Sequence, residues 1–245
     1  MKTIKNILIT GAAKRIGASC ARLLHTEGHN IALHYHHSDQ QALSLQQEFN
    51  QTRPHSACCL KADLKQLDDI QQLAMQASTE WNGIDVLINN ASAFFPDDFA
   101  TTSEQDWDTL LDTNLKAPFF LSQALLPTLR KNQGCIINII DIHAERGLKG
   151  YPAYSISKAG LAALTRSLAK ELGPEIRVNG IAPGAILWPE QDMDESTKSD
   201  ILARIALKRS GSPQDIARAV RFFINDADYI TGQILAIDGG RTLFN

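Results

Sequence analysis

The chain of 245 residues carries 24 basic and 27 acidic side chains, a formal net charge of −3, and 44% of its residues are hydrophobic. This composition supports a buried core and argues against disorder. The lack of a lysine- or arginine-rich run argues against a nucleic-acid partner. No stretch has the length and apolarity of a membrane span, and the apolar run after Met1 is too short for a secretory signal, so we expect a cytoplasmic protein with no membrane partner.

Short apolar runs rich in β-formers alternate along the chain with longer segments of helical periodicity. Repeated β-α-β units of this kind predict the α/β class. We expect a Rossmann-type, doubly wound parallel sheet of about seven strands with helices on both faces. The predicted strands are Ile4–Thr10, Asn30–Tyr35, Ser56–Ala62, Ile84–Asn89, Cys135–Ile140, Ile176–Ile181 and Ile234–Ile237.

No linker of proline, glycine or serine divides the chain, so we predict a single domain over residues 1–245. The polar segment 188–208 interrupts the alternation of strands and helices, and we interpret it as a substrate lid. Trp188, at the start of this segment, is expected either to cover the substrate pocket or to pack in the interior.

The first predicted strand leads into the turn Thr10–Gly17 and then into a predicted helix at Ile16–Glu27. A glycine-rich turn at a helix N-terminus presents backbone N–H groups and a positive dipole end to a phosphate. Gly11 permits the tight turn and Gly17 the close packing of helix on sheet, although both glycines could be purely structural. The expected nucleotide contacts in this turn are Gly11, Arg15, Ile16 and Gly17.

The end of the second predicted strand distinguishes NAD from NADP. The segment His34–Ser38 lacks the carboxylate that would bind a ribose 2′-hydroxyl. Imidazole and hydroxyl groups can donate to a 2′-phosphate instead, and the basic pair Lys14-Arg15 adds positive charge. We therefore predict NADPH as the cofactor, bound here by His36, His37 and Ser38. We expect no metal site, because no carboxylate accompanies these histidines and His37 points away from His36.

Asp63 and Leu64 close the third predicted strand. We expect this pair to contact the adenine, with Asp63 accepting from the adenine amino group. The alternative is that Asp63 caps the following helix, a position that aspartate favours.

Tyr154 and Lys158 lie four residues apart in a predicted helix, so their side chains share one face. A free phenol has a pKa of about 10 and is a poor acid at neutral pH. A cation at about 4 Å stabilises the phenolate by about 4 kcal/mol at an effective dielectric constant of about 20, which lowers the phenol pKa by about three units. The pair therefore predicts an acid–base group for hydride transfer, with an ordinary surface pair as the alternative.

The order and spacing of these motifs resemble the short-chain dehydrogenase/reductase family over essentially the whole chain. The resemblance implies that Tyr154 donates a proton, that Lys158 lowers the tyrosine pKa and binds the nicotinamide ribose, and that Asn114 holds a water in a proton relay. It also implies a homotetramer. The residues that carry the resemblance are Thr10–Gly17, Asn90-Ala91 with the preceding Asn89, Asn114, Tyr154, Lys158 and Pro183-Gly184.

Three positions depart from the common pattern of that family. Arg15 and Ser92 stand where the family usually has glycine, and Asp141 stands where it usually has the serine that hydrogen-bonds a carbonyl substrate. A carboxyl group there would repel a developing alkoxide unless it is protonated. It suits a substrate that is rich in N–H donors and is protonated at a ring nitrogen.

All three departures resemble one subgroup, the pteridine reductases. In that subgroup the pterin lies between nicotinamide and an aromatic ring, which corresponds here to Phe94, a sound stacking surface for a flat heterocycle. The resemblance also implies that Arg15 and Ser92 contact pterin or phosphate, that Asp141 assists proton transfer by Tyr154, and that Tyr151 lines the pocket. His37 departs from the arginine that the subgroup often carries, which predicts weaker selection for the 2′-phosphate.

We therefore predict an NADPH-dependent reductase that transfers hydride to a dihydropterin or dihydrofolate-like substrate. One alternative is a carbonyl reductase of the same family, such as a 3-oxoacyl-carrier reductase, for which serine would be expected at Asp141. The other is a regulator that binds NADPH without catalysis, which the intact Tyr154 and Lys158 pair argues against.

Overall fold

A computed structural model describes residues 4–186 and 194–244. Their core is one seven-stranded sheet in the order β3-β2-β1-β4-β5-β6-β7, with every neighbouring pair parallel. The expected α/β, doubly wound sheet of seven strands is thereby confirmed. The strands are β1 Asn6–Ile9, β2 Asn30–Tyr35, β3 Ala57–Lys61, β4 Val86–Asn89, β5 Cys135–Ile139, β6 Arg177–Pro183 and β7 Ile234–Ile237.

Helices cover both faces of the sheet, because successive residues of each strand point to opposite sides. Ile7 and Ile9 of β1 pack in one buried cluster with the first and last long helices, whereas Leu8 packs in a second cluster on the other face. The helices are α1 Arg15–Thr26, α2 Asp39–Thr52, α3 Leu67–Thr79, α4 Glu104–Leu111, α5 Ala117–Ala124, α6 Leu126–Lys131, α7 His143–Arg146, α8 Pro152–Leu172, α9 Glu195–Ala203 and α10 Pro213–Asn225.

A turn of π-helix at Asp112–Lys116 joins α4 to α5. Such turns are uncommon and are frequent at functional sites. Because the strand order reverses between β1 and β4, a crevice opens there at the carboxyl ends of the strands, the usual place for a ligand in an open parallel sheet.

The second half of the segment expected to be a lid contains α9. Asp194 caps this helix by accepting from the Thr197 backbone N–H at 2.8 Å. Leu187, Trp188 and the rest of that stretch up to residue 193 lie outside the described residues, so the lid function and the role of Trp188 stay predictions.

Candidate active site

One cavity of about 620 Å³ lies at the carboxyl ends of the central strands. It brings together nearly all the residues that the sequence predicted for cofactor and substrate. Ser38, Asn114 and Tyr151 are not among its lining residues, so the expectation that Tyr151 lines the pocket is wrong: its ring stacks on Phe94 instead. The predicted residues that line it are Gly11, Arg15, Ile16, Gly17, His36, His37, Asp63, Leu64, Asn90, Ala91, Ser92, Phe94, Asp141, Tyr154, Lys158, Pro183 and Gly184.

The turn between β1 and α1 is packed too closely for side chains at its glycines. A Cβ atom on Gly17 would lie 2.3 Å from the Gly11 carbonyl oxygen, and Gly11 itself has a φ of +62°. Both glycines therefore have the conformational reason that was predicted for them. Arg15 also has a positive φ, of +51°, which costs a non-glycine residue about 1–2 kcal/mol. This conformational cost arises at a position where the resemblance leads us to expect glycine.

Two polar side chains fix this turn to the end of β4. The Thr10 hydroxyl accepts from the backbone N–H groups of Asn90 and Ala91, both at 2.9 Å. The Asn90 amide donates to the carbonyls of Thr10 at 2.8 Å and Gly11 at 3.1 Å. Asn90 thus positions the phosphate turn, and Thr10, which the sequence did not single out as a site residue, shares that function.

His34 holds the same turn from the side of β2. Its Nδ1 accepts from the Gly11 N–H at 3.1 Å, and its Nε2 lies 3.2 Å from the Ala62 carbonyl, so the neutral tautomer with a proton on Nε2 satisfies both contacts. Burial lowers the pKa of His34 to about 4. From the sequence, His34 has no predicted site function of its own. Its inward position in a buried strand was the signal for a structural role.

The predicted 2′-phosphate corner lies at the junction of β2 and α2. The rings of His36 and His37 are 3.6 Å apart between centroids. The expectation that His37 points away from His36 is therefore wrong, because β2 ends at Tyr35 and the alternation of a strand does not extend to these two residues. Ser38 is the N-cap residue of α2. The Asp39 carboxylate is engaged by Lys61 at 2.9 Å. The corner therefore offers imidazoles, a hydroxyl and a helix N-terminus to an anion.

Asp63 does not cap a helix, so that alternative is wrong. Helix α3 begins at Leu67 with Gln66 as its N-cap residue. The Asp63 carboxylate instead accepts from the Lys65 N–H at 3.0 Å within the preceding turn. The adenine contact remains a prediction, and both Asp63 and Leu64 line the cavity.

Asp141 and Tyr154 both line the cavity and form a direct hydrogen bond. The phenol donates to Asp141 Oδ2 at 2.8 Å, while Asp141 Oδ1 accepts from the His143 N–H at 2.7 Å. Burial, followed by the charge and hydrogen bond of Asp141, raises the pKa of Tyr154 above its usual value. This shift is opposite to the lowering predicted from the neighbouring ammonium, because burial and the carboxylate outweigh the ammonium.

Lys158 is buried and lies on the same face of α8 as Tyr154, as predicted. Its Nζ donates to the Ile139 carbonyl at 3.0 Å and lies 5.9 Å from the centroid of the Tyr154 ring. Burial lowers the pKa of Lys158 to about 8, against the opposing charge of Asp141. The ammonium is thus held by a backbone carbonyl beside the Tyr154 ring.

Asn114 lies on the π-helical turn, and its side chain is fully engaged by protein. Its Oδ1 accepts from the Ala93 N–H at 2.8 Å and the Ser92 hydroxyl at 3.0 Å. Its Nδ2 donates to the Ala93 carbonyl and the Ser157 hydroxyl, both at 3.0 Å. These contacts position the loop that carries Ser92 against α8. The relay role expected for Asn114 from the resemblance stays a prediction.

The two phenylalanines after β4 have different environments. Phe94 lines the cavity and is 52% exposed. Its ring stacks on Tyr151 at 4.8 Å between centroids and meets Tyr154 edge-on at 4.8 Å. Phe95 packs in a buried cluster with Leu110. Phe94 is therefore the aromatic surface available to a ligand, and Tyr151 supports it from behind.

Asp97 caps the helix that carries Tyr154 and Lys158. This buried carboxylate accepts from the Ala153 N–H through Oδ2, in the first turn of α8, and its own N–H donates to the Gly150 carbonyl at 2.9 Å. A carboxylate at a helix N-terminus is stabilised by the helix dipole. Nothing in the local sequence indicates this role for Asp97, because the contact joins segments far apart in the chain.

Replacing Asp97 with alanine is expected to lower the free energy of unfolding by about 1–2 kcal/mol, the usual effect of losing a helix cap. Asp97→Asn retains an oxygen acceptor and should lose less. Urea denaturation of both variants measures the difference, with the exposed Asp108→Ala as the matched control. Equal stability of the alanine variant and the unmodified protein would contradict the capping role.

No helix in the described parts of the chain, 4–186 and 194–244, is long and apolar enough to cross a bilayer. Within the same residues, no group of three or more histidine, cysteine, aspartate or glutamate side chains is arranged to hold a metal ion.

Comparison with known proteins relates this fold to a large group of enzymes. A family model described as Enoyl-(Acyl carrier protein) reductase matches residues 11–242. The 3-oxoacyl-[acyl-carrier-protein] reductase of Staphylococcus aureus is 35% identical over 244 residues, which covers 98% of this chain and 99% of that protein. Pteridine reductase 1 of Leishmania tarentolae is 34% identical over 277 aligned positions, with 96% of each chain covered.

Two solved structures superpose on the whole fold. A Serratia marcescens short-chain dehydrogenase/reductase with two substitutions gives a TM-score of 0.91 at 29% identity, covering 97% of this chain and 98% of that one. A blue fluorescent protein from a metagenomic library, in complex with NADPH, gives a TM-score of 0.91 at 32% identity with the same coverage. The chain therefore belongs to the short-chain dehydrogenase/reductase family, a family of oxidoreductases.

Proposed function

We propose that this protein is an NADPH-dependent reductase of a dihydropterin, and that Asp141, Tyr154 and Lys158 are its catalytic residues. The observation that carries the proposal is the 2.8 Å hydrogen bond between the Tyr154 phenol and the Asp141 carboxylate, beside the exposed ring of Phe94. Reduction of a C=N bond adds a hydride to carbon and a proton to nitrogen. A carboxylate and a phenol that share a proton are suited to the second part.

The cavity residues that follow β1 and β2 fit NADPH. The turn between β1 and α1 lines the cavity at the N-terminus of α1, where backbone N–H groups can meet a pyrophosphate. His36, His37, Ser38 and the N-terminus of α2 offer donors to a 2′-phosphate, and the structural relative that contains NADPH supports the same choice. When bound, the cofactor supplies the hydride. Lys158 would position the ribose of the cofactor, and Asn90 positions the turn that would meet its pyrophosphate. Pro183 and Gly184 would border its nicotinamide.

The substrate half of the cavity favours a pterin over a ketone. The phenol proton is directed to Asp141, so a substrate that donates N–H groups to the carboxylate would release Tyr154 to act on the ring nitrogen. A ketone has no donor to offer and would develop negative charge next to Asp141, which raises its barrier. Phe94 provides a flat surface on which a bicyclic ring can stack.

The second candidate is a 3-oxoacyl-carrier reductase, which the 35% identity with the Staphylococcus aureus enzyme favours. A panel of dihydropterins, dihydrofolate and an acetoacetyl thioester, each assayed with NADPH and NADH, distinguishes the two. We expect NADPH oxidation with a dihydropterin, faster than with NADH. Faster turnover of the thioester than of every pterin would assign the second function. Inactivity on all the pterins and on the thioester would favour a non-catalytic NADPH-binding role.

The subunit organisation also stays a proposal. The family resemblance favours a homotetramer, which sedimentation or light scattering of the purified protein would test.

A further inference from the structure

A buried histidine joins the two loops that flank β2 at the cavity. His34 is 2% exposed, lines the cavity and follows an apolar run of β2, Ile31–Leu33, that is fully buried. Because β2 lies between β1 and β3 in the sheet, the loops after these two strands lie on either side of His34. A buried polar side chain is unfavourable unless it is hydrogen-bonded, so both ring nitrogens of His34 need partners.

Each ring nitrogen of His34 contacts one of these loops. Nδ1 accepts from the Gly11 N–H at 3.1 Å in the turn after β1, and Nε2 lies 3.2 Å from the Ala62 carbonyl, one residue before Asp63. The backbone carbonyl of His34 also accepts from the Ala12 N–H at 2.9 Å. Two consecutive N–H groups of the turn are therefore directed to His34. The donors that would meet a pyrophosphate are those at the N-terminus of α1, where the first N–H groups have no partner within the helix.

The same turn is held from the opposite side by the loop after β4. The Asn90 amide donates to the Gly11 carbonyl at 3.1 Å, and a Cβ atom on Gly11 would lie 3.0 Å from the Ala91 Cα, so the turn is packed tightly against this loop. His34 provides the contact toward β2 and β3. Burial lowers the pKa of His34 to about 4, so at neutral pH its ring is neutral and Nδ1 can accept from the Gly11 N–H.

We propose that His34 is a positioning residue for NADPH, which sets the distance between the N-terminus of α1 and the loop that carries Asp63 and Leu64. Nδ1 fixes the turn where the pyrophosphate would bind, and Nε2 fixes the loop where the adenine would bind. The cofactor spans both places, so its affinity depends on both hydrogen bonds of the imidazole. A ligand that reaches only the adenine side depends on the Nε2 contact alone. The inference rests on the cofactor of the proposed function and not on the pterin.

Substitutions of His34 can remove the two hydrogen bonds one at a time. In His34→Asn the amide oxygen, bonded to Cγ, can replace Nδ1 as the acceptor for the Gly11 N–H, whereas the contact with Ala62 is lost. In His34→Gln the amide nitrogen, one bond farther from the backbone, can replace Nε2 as the donor to the Ala62 carbonyl, whereas the contact with Gly11 is lost. His34→Leu removes both contacts. The matched control is His25→Gln, because His25 is also buried and lies 2.7 Å from the Ser56 hydroxyl, but in the last turn of α1, away from the cavity.

Isothermal titration calorimetry measures the affinity of each variant for NADPH and for adenosine 2′-phosphate, which has the adenine end of the cofactor but no pyrophosphate. We expect His34→Gln to lower the affinity for NADPH by about tenfold and to leave the affinity for adenosine 2′-phosphate nearly unchanged. We expect His34→Asn to lower both affinities, and His34→Leu to lower both further. Thermal denaturation shows that each titrated variant is folded. A role in stability alone would lower the melting temperature without this difference between the two ligands.

Three results would overturn the inference. They are an unchanged affinity for NADPH in His34→Gln and His34→Leu, an equal loss in His25→Gln, and equal losses of both ligands in His34→Gln and His34→Asn. If His34→Leu does not fold, the asparagine and glutamine variants, each of which retains one hydrogen bond, still decide the question. Failure of the unmodified protein to bind NADPH would instead overturn the cofactor of the proposed function.

Discussion

Replacing Asp141 with serine is expected to lower the rate of dihydropterin reduction by about a hundredfold or more, the usual contribution of a positioned acid–base group. The substitution removes the partner of the Tyr154 phenol and the acceptor for substrate N–H groups. NADPH affinity should be unchanged, because Asp141 lies at the substrate end of the cavity. Steady-state kinetics and NADPH titration measure the two effects.

Asp141→Asn separates charge from shape in this experiment. It keeps the size and an oxygen acceptor, but it can neither carry the charge nor share the phenol proton. Glu145→Gln is the matched control, because Glu145 is an exposed carboxylate on α7, paired only with Arg166 among the described residues. Since Asp141 raises the pKa of Tyr154, the serine variant should also gain activity on ketones. Full retention of pterin turnover in Asp141→Ser would contradict the proposed catalytic role of Asp141.

Replacing Lys158 with methionine is expected to abolish most of the activity while making the unliganded protein more stable at pH 7. The lysine pKa is lowered from 10.5 to about 8 by burial, so the charged form is disfavoured in the folded state. A shift of this size corresponds to about 3 kcal/mol. Part of that gain is offset, because the methionine cannot donate to the Ile139 carbonyl and leaves that acceptor unpaired.

The sign of the pH dependence follows from the lowered pKa. Between pH 8 and 10.5 the unfolded chain keeps a proton on Lys158 that the folded chain has released, so the free energy of unfolding rises with pH across this window. Lys158→Met should remove that rise, whereas the exposed Lys131→Met should retain it. Activity that needs the ammonium should fall as pH rises through about 8. Denaturation at several pH values and a pH–rate profile check both statements, and a destabilised methionine variant at pH 7 would contradict them.

The sheet could be predicted from the sequence because each strand is a short apolar run between segments of helical periodicity. β2 and β7 have the predicted bounds, and the first helix differs from its predicted bounds by one residue at each end. β6 continues to Pro183, beyond its predicted end, because it pairs with β7 through Pro183 and Ile237. A partner strand, and not local propensity, sets that boundary.

The residues of the candidate site could be predicted from the sequence, but the contacts between them could not. Motif spacing placed Tyr154 and Lys158 on one face of α8, yet it could not show that Lys158 bonds to the Ile139 carbonyl. The engagement of Asn114 by Ala93 and Ser157, and the cap that Asp97 provides to α8, depend on segments brought together by the fold. No periodicity in the sequence indicates the π-helical turn at Asp112–Lys116.

Arg15 adopts a backbone conformation that glycine enters freely and arginine enters only at a cost. A mutational screen that rewards resistance to heat alone is therefore expected to favour glycine at this position. If Arg15 contacts pterin or phosphate as proposed, a screen that rewards formation of the reaction product should favour arginine. The two selections would then act in opposite directions at a single codon.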